Sequence, residues 1–232
     1  MDKYNEDRLF TEKMKSLADE KTIDWMQKKS SDFIKNMTYY RCAIMEIETK
    51  FNVLNEEFSL EHNHNPINTI KTRLKGPLSI KNKLERRGFP LSIDSMTENL
   101  NDIAGVRVIC SFKSDVYLLA QALLSQDDIE LIRERDYIKN PKANGYRSLH
   151  LLVGIPIFLA HEKHIMKVEI QLRTIAMDFW ASLEHQLRYK KEGDFSEEMM
   201  GELYECAQSS DALDQRMDNL REKALASPNK KS

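Results

Sequence analysis

The chain has 232 residues, 41% of them hydrophobic, which suits one packed domain with flanking helices. A net charge of −2 gives general nucleic-acid binding no support from bulk charge. Three widely spaced cysteines (Cys42, Cys110, Cys206) exclude a disulfide framework, and neither the charged start MDKYNEDRLF nor the Pro156-interrupted apolar run 151–160 reads as a signal core or a membrane span, so a soluble cytoplasmic protein is expected.

In chain order, the apolar spacing of Ile23, Met26, Phe33, Met37, Tyr40, Ile44, Ile47, Phe51, Leu54 and Phe58 predicts one helix over 22–58, capped by Thr22. A stripe that long must bury itself against other helices or another subunit. After a polar loop, a short helix is expected up to about Leu74. Lys75-Gly76-Pro77 then breaks the chain, and Ser79 can cap a helix ending near Gly88. Strands follow at 104–112, 129–138, 147–155 and 165–173, with one crossover helix from Ser114 to Leu124. Thr174 caps a helix to about Lys191, a second terminal helix covers 196–226, and a disordered tail follows. The fold class is therefore α/β or α+β, with a four- to five-stranded mixed sheet between long N- and C-terminal helices.

Charge is unevenly placed. Residues 71–87 carry seven basic residues (Lys71, Arg73, Lys75, Lys81, Lys83, Arg86, Arg87) against Glu85 alone, which marks a local anion site or a solvated helix face. Residues 192–224 are acidic, ten Asp or Glu against three basic residues.

The strand 165–173 alternates Met166, Val168, Ile170 and Leu172 with Lys167, Glu169, Gln171 and Arg173. Arg107 and His150 interrupt neighbouring apolar runs. Glu169, Gln171, Arg173, Arg107 and His150 together on one sheet read as the floor of a cleft, and a carboxylate there suits a base or Mg²⁺. Asp102 precedes its strand in the turn NDIAG and differs in parity from Arg107. It needs either a bulge at Gly105 or a place outside the pleat. Between 133 and 150, Arg133, Arg135, Lys139, Lys142 and Arg147 interleave with Tyr137 and Tyr146, a pattern suited to a phosphorylated ligand with a flat base or to a basic surface loop.

Four stretches in this order, TRLKGPLSIKNKL (72–84), NDIAGVRVIC (101–110), ERDYIKNPKANGYRSLH (134–150) and VEIQLRTIAMDFWASLEHQLRYK (168–190), resemble the synthetase domain of the RelA/SpoT superfamily, in the form of a small RelP-like alarmone synthetase. The resemblance implies a nucleotidyltransferase-like catalytic domain over 67–191, a helical region over 1–66 and a terminal helix and tail over 192–232. It implies transfer of pyrophosphate from ATP to the 3′-hydroxyl of GDP or GTP, with AMP released. Arg73, Lys75, Ser79 and Lys83 would hold ATP, with Arg107 facing Arg73 across the adenine. Asp102 and Glu169 would share Mg²⁺, and Glu169 would activate the acceptor hydroxyl. Tyr146 would stack on guanine. Arg135, Lys142 and His150 would meet the acceptor phosphates, and Gln171 and Arg173 would complete the floor. Asp178 stands where some relatives have Asn near the guanine edge. The resemblance also implies a homotetramer.

No His-Asp dipeptide of the superfamily's hydrolase half occurs in the sequence, so synthesis without hydrolysis is expected. The alternatives are a non-catalytic module for a guanosine nucleotide or single-stranded RNA, and a nucleotidyltransferase that releases pyrophosphate. Other residues read more plainly. His62, His64, His161 and His164 read as surface groups. Phe179, Trp180, Leu183 and Leu187 read as core, His185 as a packed core histidine, and Glu184–Arg188 as a helical ion pair.

Overall fold

The computed structural model describes residues 30–62, 65–190 and 196–226. Helix α1 (Ser30–His62) is followed by strand β1 (Ile67–Leu74), helices α2 (Pro77–Arg86) and α3 (Ile93–Asn99), strand β2 (Ala104–Cys110) and helix α4 (Lys113–Leu124). Strands β3 (Glu130–Asp136), β4 (Leu149–Phe158) and β5 (Lys163–Thr174) lead into helices α5 (Ile175–Lys190) and α6 (Glu197–Ala226). The strands form one five-stranded sheet in the order β1-β2-β5-β4-β3. Only β2 and β5 run parallel; the β1–β2, β3–β4 and β4–β5 pairs are antiparallel. The sheet is mixed, as expected.

Its two faces differ as the alternation requires. Val106, Val108, Leu149, Leu151, Val153, Val168, Ile170 and Leu172 are buried in one apolar core with Ile44, Ile47, Phe51 and Leu54 of α1 and Val116, Leu119 and Leu123 of α4. The long stripe of α1 thus covers the back of the sheet and leaves the polar face free for chemistry. Residues 22–29 of the expected helix, and the tail, lie outside the described residues. Among the described residues, no helix is long and apolar enough to cross a membrane.

Several local expectations are corrected. The segment expected as a short helix is β1. Ile67, Ile70 and Leu74 fit helical spacing, but the segment is rich in Ile and Thr, and pairing from Ile67–Cys110 to Leu74–Ala104 decides for a strand. Ser79 does not cap α2. Gly76 does, with Pro77 opening the helix, and Ser79 is exposed in its first turn. Ser114 does not cap α4 either. Phe112 occupies that position, and its backbone N–H donates to Asp115 Oδ2 at 3.2 Å. Helix α3 was not anticipated; it is short, and Ser92 caps it by accepting from the Ser95 N–H at 3.1 Å.

Trp180 is buried as expected, but Phe179, Leu183 and Leu187 are exposed (64%, 41% and 51%) and form a stripe with Ile175 along α5. His185 is likewise exposed rather than packed. His164 is no simple surface group: its ring stacks on Tyr39 at 4.6 Å. The side chains of His62, His64 and Arg188 lie outside the described residues.

Candidate active site

The polar face is built by register. Lys71, Arg107, Gln171, His150 and Arg135 are successive partners across all five strands. One step along, Arg73, Gly105, Glu169 and Leu152 form a second row. Partners in a row share a face, so the positions expected to form the floor are brought together by pairing alone. Gly105 contributes no side chain beside Glu169 and so leaves the floor open there. The pairing on both sides of Gly105 is continuous, without a bulge. Asp102 reaches the site from the loop before β2, outside the pleat.

Asp102 anchors one end. Its Oδ2 accepts from Lys75 Nζ at 2.5 Å and from Lys83 Nζ at 2.6 Å. Lys75 follows β1 and Lys83 lies on α2, so one carboxylate gathers the basic segment. Burial pushes the Asp102 carboxyl up, but the two lysines outweigh it and hold its pKa below the usual range. Burial likewise lowers Lys75. Glu169 behaves oppositely: burial and then the nearby Asp102 charge raise its pKa, against Lys83 and Gln171. Two carboxylates that feel each other are thus pushed apart in proton affinity, an arrangement that separates a permanent anion from a base.

The other end is a network around Arg173, which is 3% exposed. Arg173 Nη2 donates to Tyr146 Oη at 2.5 Å and to Gln171 Oε1 at 3.0 Å. Tyr146 Oη lies 2.8 Å from His150 Nε2. Lys142 Nζ sits over the rings of Tyr146 and Tyr137, at 4.7 and 4.8 Å. The exposed Arg135 donates to Tyr137 Oη at 3.5 Å. Burial first, then Arg173, Lys142, Arg135 and Arg107, push His150 down to about 3. His150 is therefore a neutral hydrogen-bonding group, not a countercharge for phosphate.

Asp178, on the first turns of α5, joins the two ends. It accepts from Lys71 Nζ at 3.0 Å, Arg107 Nη1 at 3.1 Å and Arg173 Nη1 at 3.3 Å. The sequence left its contact open, and Lys71 and Tyr137 were not singled out as site residues. Strand parity could have found Lys71, which is two residues from Arg73 on the same face. Ser79 is in the first turn of α2, and among the described residues no hydrogen bond or ion pair ties it to the other site residues.

Among the described residues, Asp102 Oδ1 and Arg173 Nε are buried without a hydrogen-bond partner, and both belong to this cleft. A free carboxylate oxygen beside a second carboxylate fits Mg²⁺. No three His, Cys, Asp or Glu side chains cluster among the described residues; a two-carboxylate site draws its other ligands from phosphates and water.

Residues 72–194 match the family described as a region found in RelA / SpoT proteins. The chain belongs to the RelA/SpoT family. Among its RelA/SpoT relatives, GTP pyrophosphokinase YwaC of Bacillus subtilis (strain 168) is 43% identical over 195 residues, covering 84% of this chain and 93% of that protein. GTP pyrophosphokinase YjbM of the same strain is 37% identical over 183 residues, covering 78% and 85%. The crystal structure of small alarmone synthetase 1 from Bacillus subtilis bound to its product pppGpp aligns with a TM-score of 0.75 at 33% identity, covering 83% of this chain and 97% of that one. Small alarmone synthetase 2 of that organism aligns with a TM-score of 0.76 at 41% identity. The matched RelA/SpoT region holds every site residue above except Lys71, which directly precedes it, and ends before α6.

Proposed function

We propose that this chain is a GTP pyrophosphokinase: it transfers the pyrophosphate of ATP to the 3′-hydroxyl of GDP or GTP, giving the guanosine alarmone and AMP. The observation that carries this reading is one polar sheet face on which a carboxylate of raised proton affinity, Glu169, shares the floor with the lysines held by Asp102 and the network around Arg173. A ribose hydroxyl is a poor nucleophile, so positioning, charge neutralisation and one proton acceptor supply the catalysis.

The donor end would take ATP. Arg73, Lys75 and Lys83 face its phosphates, and Arg107 with Arg73 would flank the adenine. Arg73 and Arg107 lie diagonally on neighbouring strands, which supports their guanidinium groups as the pair that would flank a flat base. The exposed Ser79 on α2 would add a hydroxyl. The acceptor end would take GDP or GTP. Tyr146 offers a ring for guanine, Lys142 and Arg135 are exposed cations for its phosphates, and neutral His150 would hydrogen-bond to them. Gln171 and Arg173 fix the floor beneath. Glu169, with its raised proton affinity, takes the proton from the 3′-hydroxyl as it attacks the β-phosphorus of ATP, and AMP leaves. Mg²⁺ held by Asp102 and Glu169 would neutralise charge on the moving pyrophosphate.

The exposed apolar stripe of α5 supports self-association, and we carry the homotetramer as part of the proposal. Incubating the pure chain with ATP, GDP and Mg²⁺ and separating the products tests the reaction. AMP with a guanosine tetraphosphate is expected. Pyrophosphate release would mean nucleotidyl transfer instead, and no product at all would leave a binding module.

A further inference from the structure

The acidic C-terminal helix bears on the acceptor end through the residues next to Tyr146 and Arg173. Ala207, Asp211 and Asp214 are spaced i, i+4, i+7 and share one face of α6. Gly145 has a φ of +88°, and a Cβ placed there would lie 2.5 Å from the Cβ of Ala207, so the backbone of the acceptor loop rests directly on the Ala207 methyl of the helix. Buried Arg147 donates from Nη1 to Gly145 O and Ala207 O, each at 3.3 Å, and from Nη2 to Gln208 Oε1 at 3.4 Å. Its Nε lies 3.4 Å from Asp211 Oδ1. The same Asp211 oxygen takes Lys113 Nζ at 2.7 Å.

On the neighbouring strand, Thr174 Oγ1 donates to Asp214 Oδ2 at 2.5 Å and accepts from the Met177 N–H at 3.2 Å. Tyr146 therefore sits between two residues clamped by α6, and Arg173 directly precedes a third. The 2.5 Å bond from Arg173 to Tyr146 closes the ring of contacts. Lys75 and Lys83 instead bond to Asp102, away from this clamp.

We infer that Asp211 and Asp214 are positioning residues for the acceptor nucleotide. They hold the Tyr146 ring and the Arg173 guanidinium in the geometry that receives it. The inference rests on the acceptor reading of that end of the cleft. Preorganisation of this kind removes the cost of ordering a loop and a long side chain on binding. The clamp comes from a helix that lies wholly beyond the matched RelA/SpoT region, which ends at residue 194. The matched region supplies the acceptor loop, and α6 sets it.

The test uses the full chain with Asp211→Asn, Thr174→Val and Thr174→Ser. GDP and a non-hydrolysable ATP analogue are titrated separately by calorimetry, and KM for GDP and for ATP are measured beside the thermal midpoint. Asp211→Asn and Thr174→Val should weaken GDP binding and raise its KM about tenfold or more, while ATP affinity stays near wild type. Thr174→Ser keeps the hydroxyl and should restore GDP affinity. Unchanged GDP affinity would overturn the inference. So would a parallel loss of both nucleotides with the thermal midpoint, the mark of a helix that only holds the fold. Because the titration reads binding, a wild type that binds GDP without making tetraphosphate would sink the transfer reaction, and the variants' GDP affinities would still decide the inference.

Discussion

At the donor end of the proposed site, one partly exposed carboxylate, Asp102, gathers two lysines, Lys75 just after β1 and Lys83 on α2, which are close together in the chain. At the acceptor end, a nearly inaccessible Arg173 is fixed by side chains from the β3–β4 loop, β5 and α5, and the loop itself is braced by α6. On the proposed reading, the contrast means that the two nucleotides would be handled by different physics. ATP would meet the exposed Arg73 and two largely buried lysines whose shared partner is one anion. The acceptor would meet a hydrogen-bonded surface whose imidazole, His150, is kept neutral by its surroundings.

The sharpest way to break that contrast is at the seam between the ends. Glu169→Gln keeps the shape and removes the base, so kcat should fall roughly a thousandfold with the thermal midpoint nearly unchanged, read as AMP formation and by calorimetric unfolding. Near-normal turnover would remove Glu169 from the chemistry. At the donor end, Asp102→Asn leaves Lys75 and Lys83 facing each other without an anion. Turnover should fall by about a hundredfold, with a higher Mg²⁺ requirement in a metal titration. At the acceptor end, Tyr146→Ala removes a stacking surface, so KM for GDP should rise on the order of tenfold while KM for ATP holds. An equal rise in both would erase the distinction between the ends.

The smallest effects concern pH. A base works only when deprotonated, and burial with Asp102 raises Glu169, so the acid limb of kcat/KM should lie above the ordinary glutamate value of about 4.3. His150, held at about 3, should add no limb near neutrality. Its folded pKa lies below its unfolded value, so the unfolded chain binds the proton first as pH falls. The stability His150 contributes is therefore complete above about 6.5 and is lost as pH falls from there toward 3. Thermal midpoints of His150→Gln across that window should show a shallower acid loss than wild type.

Much of this was legible in the sequence for local reasons. Strict alternation placed Glu169, Gln171 and Arg173 on one face, and β-branched runs located β2, β4 and β5. The acceptor loop announced itself through Asn144-Gly145 and interleaved Arg, Lys and Tyr. What was not legible depends on partners distant in the chain. Strand β1 has spacing that serves a helix as well, and pairing with β2 decided it. The three-cation node at Asp178 needs three strands and α5 assembled. The grip of Asp214 on Thr174 and of Asp211 on Arg147 joins residues 40 or more positions apart, with no local pattern to mark it. Helix amphipathicity misled for Phe179, Leu183 and Leu187, because a stripe shows that a face needs cover without saying whether the same chain supplies it.

The central claim is that pyrophosphate moves as one unit from ATP to a guanosine 3′-hydroxyl under the control of Glu169. ATP labelled on its γ-phosphate, incubated with GDP, Mg²⁺ and either wild type or Glu169→Gln, tests this directly. The account predicts label in a guanosine tetraphosphate with unlabelled AMP for wild type, and almost none for the variant. Label in free pyrophosphate, or equal transfer by both proteins, would contradict it.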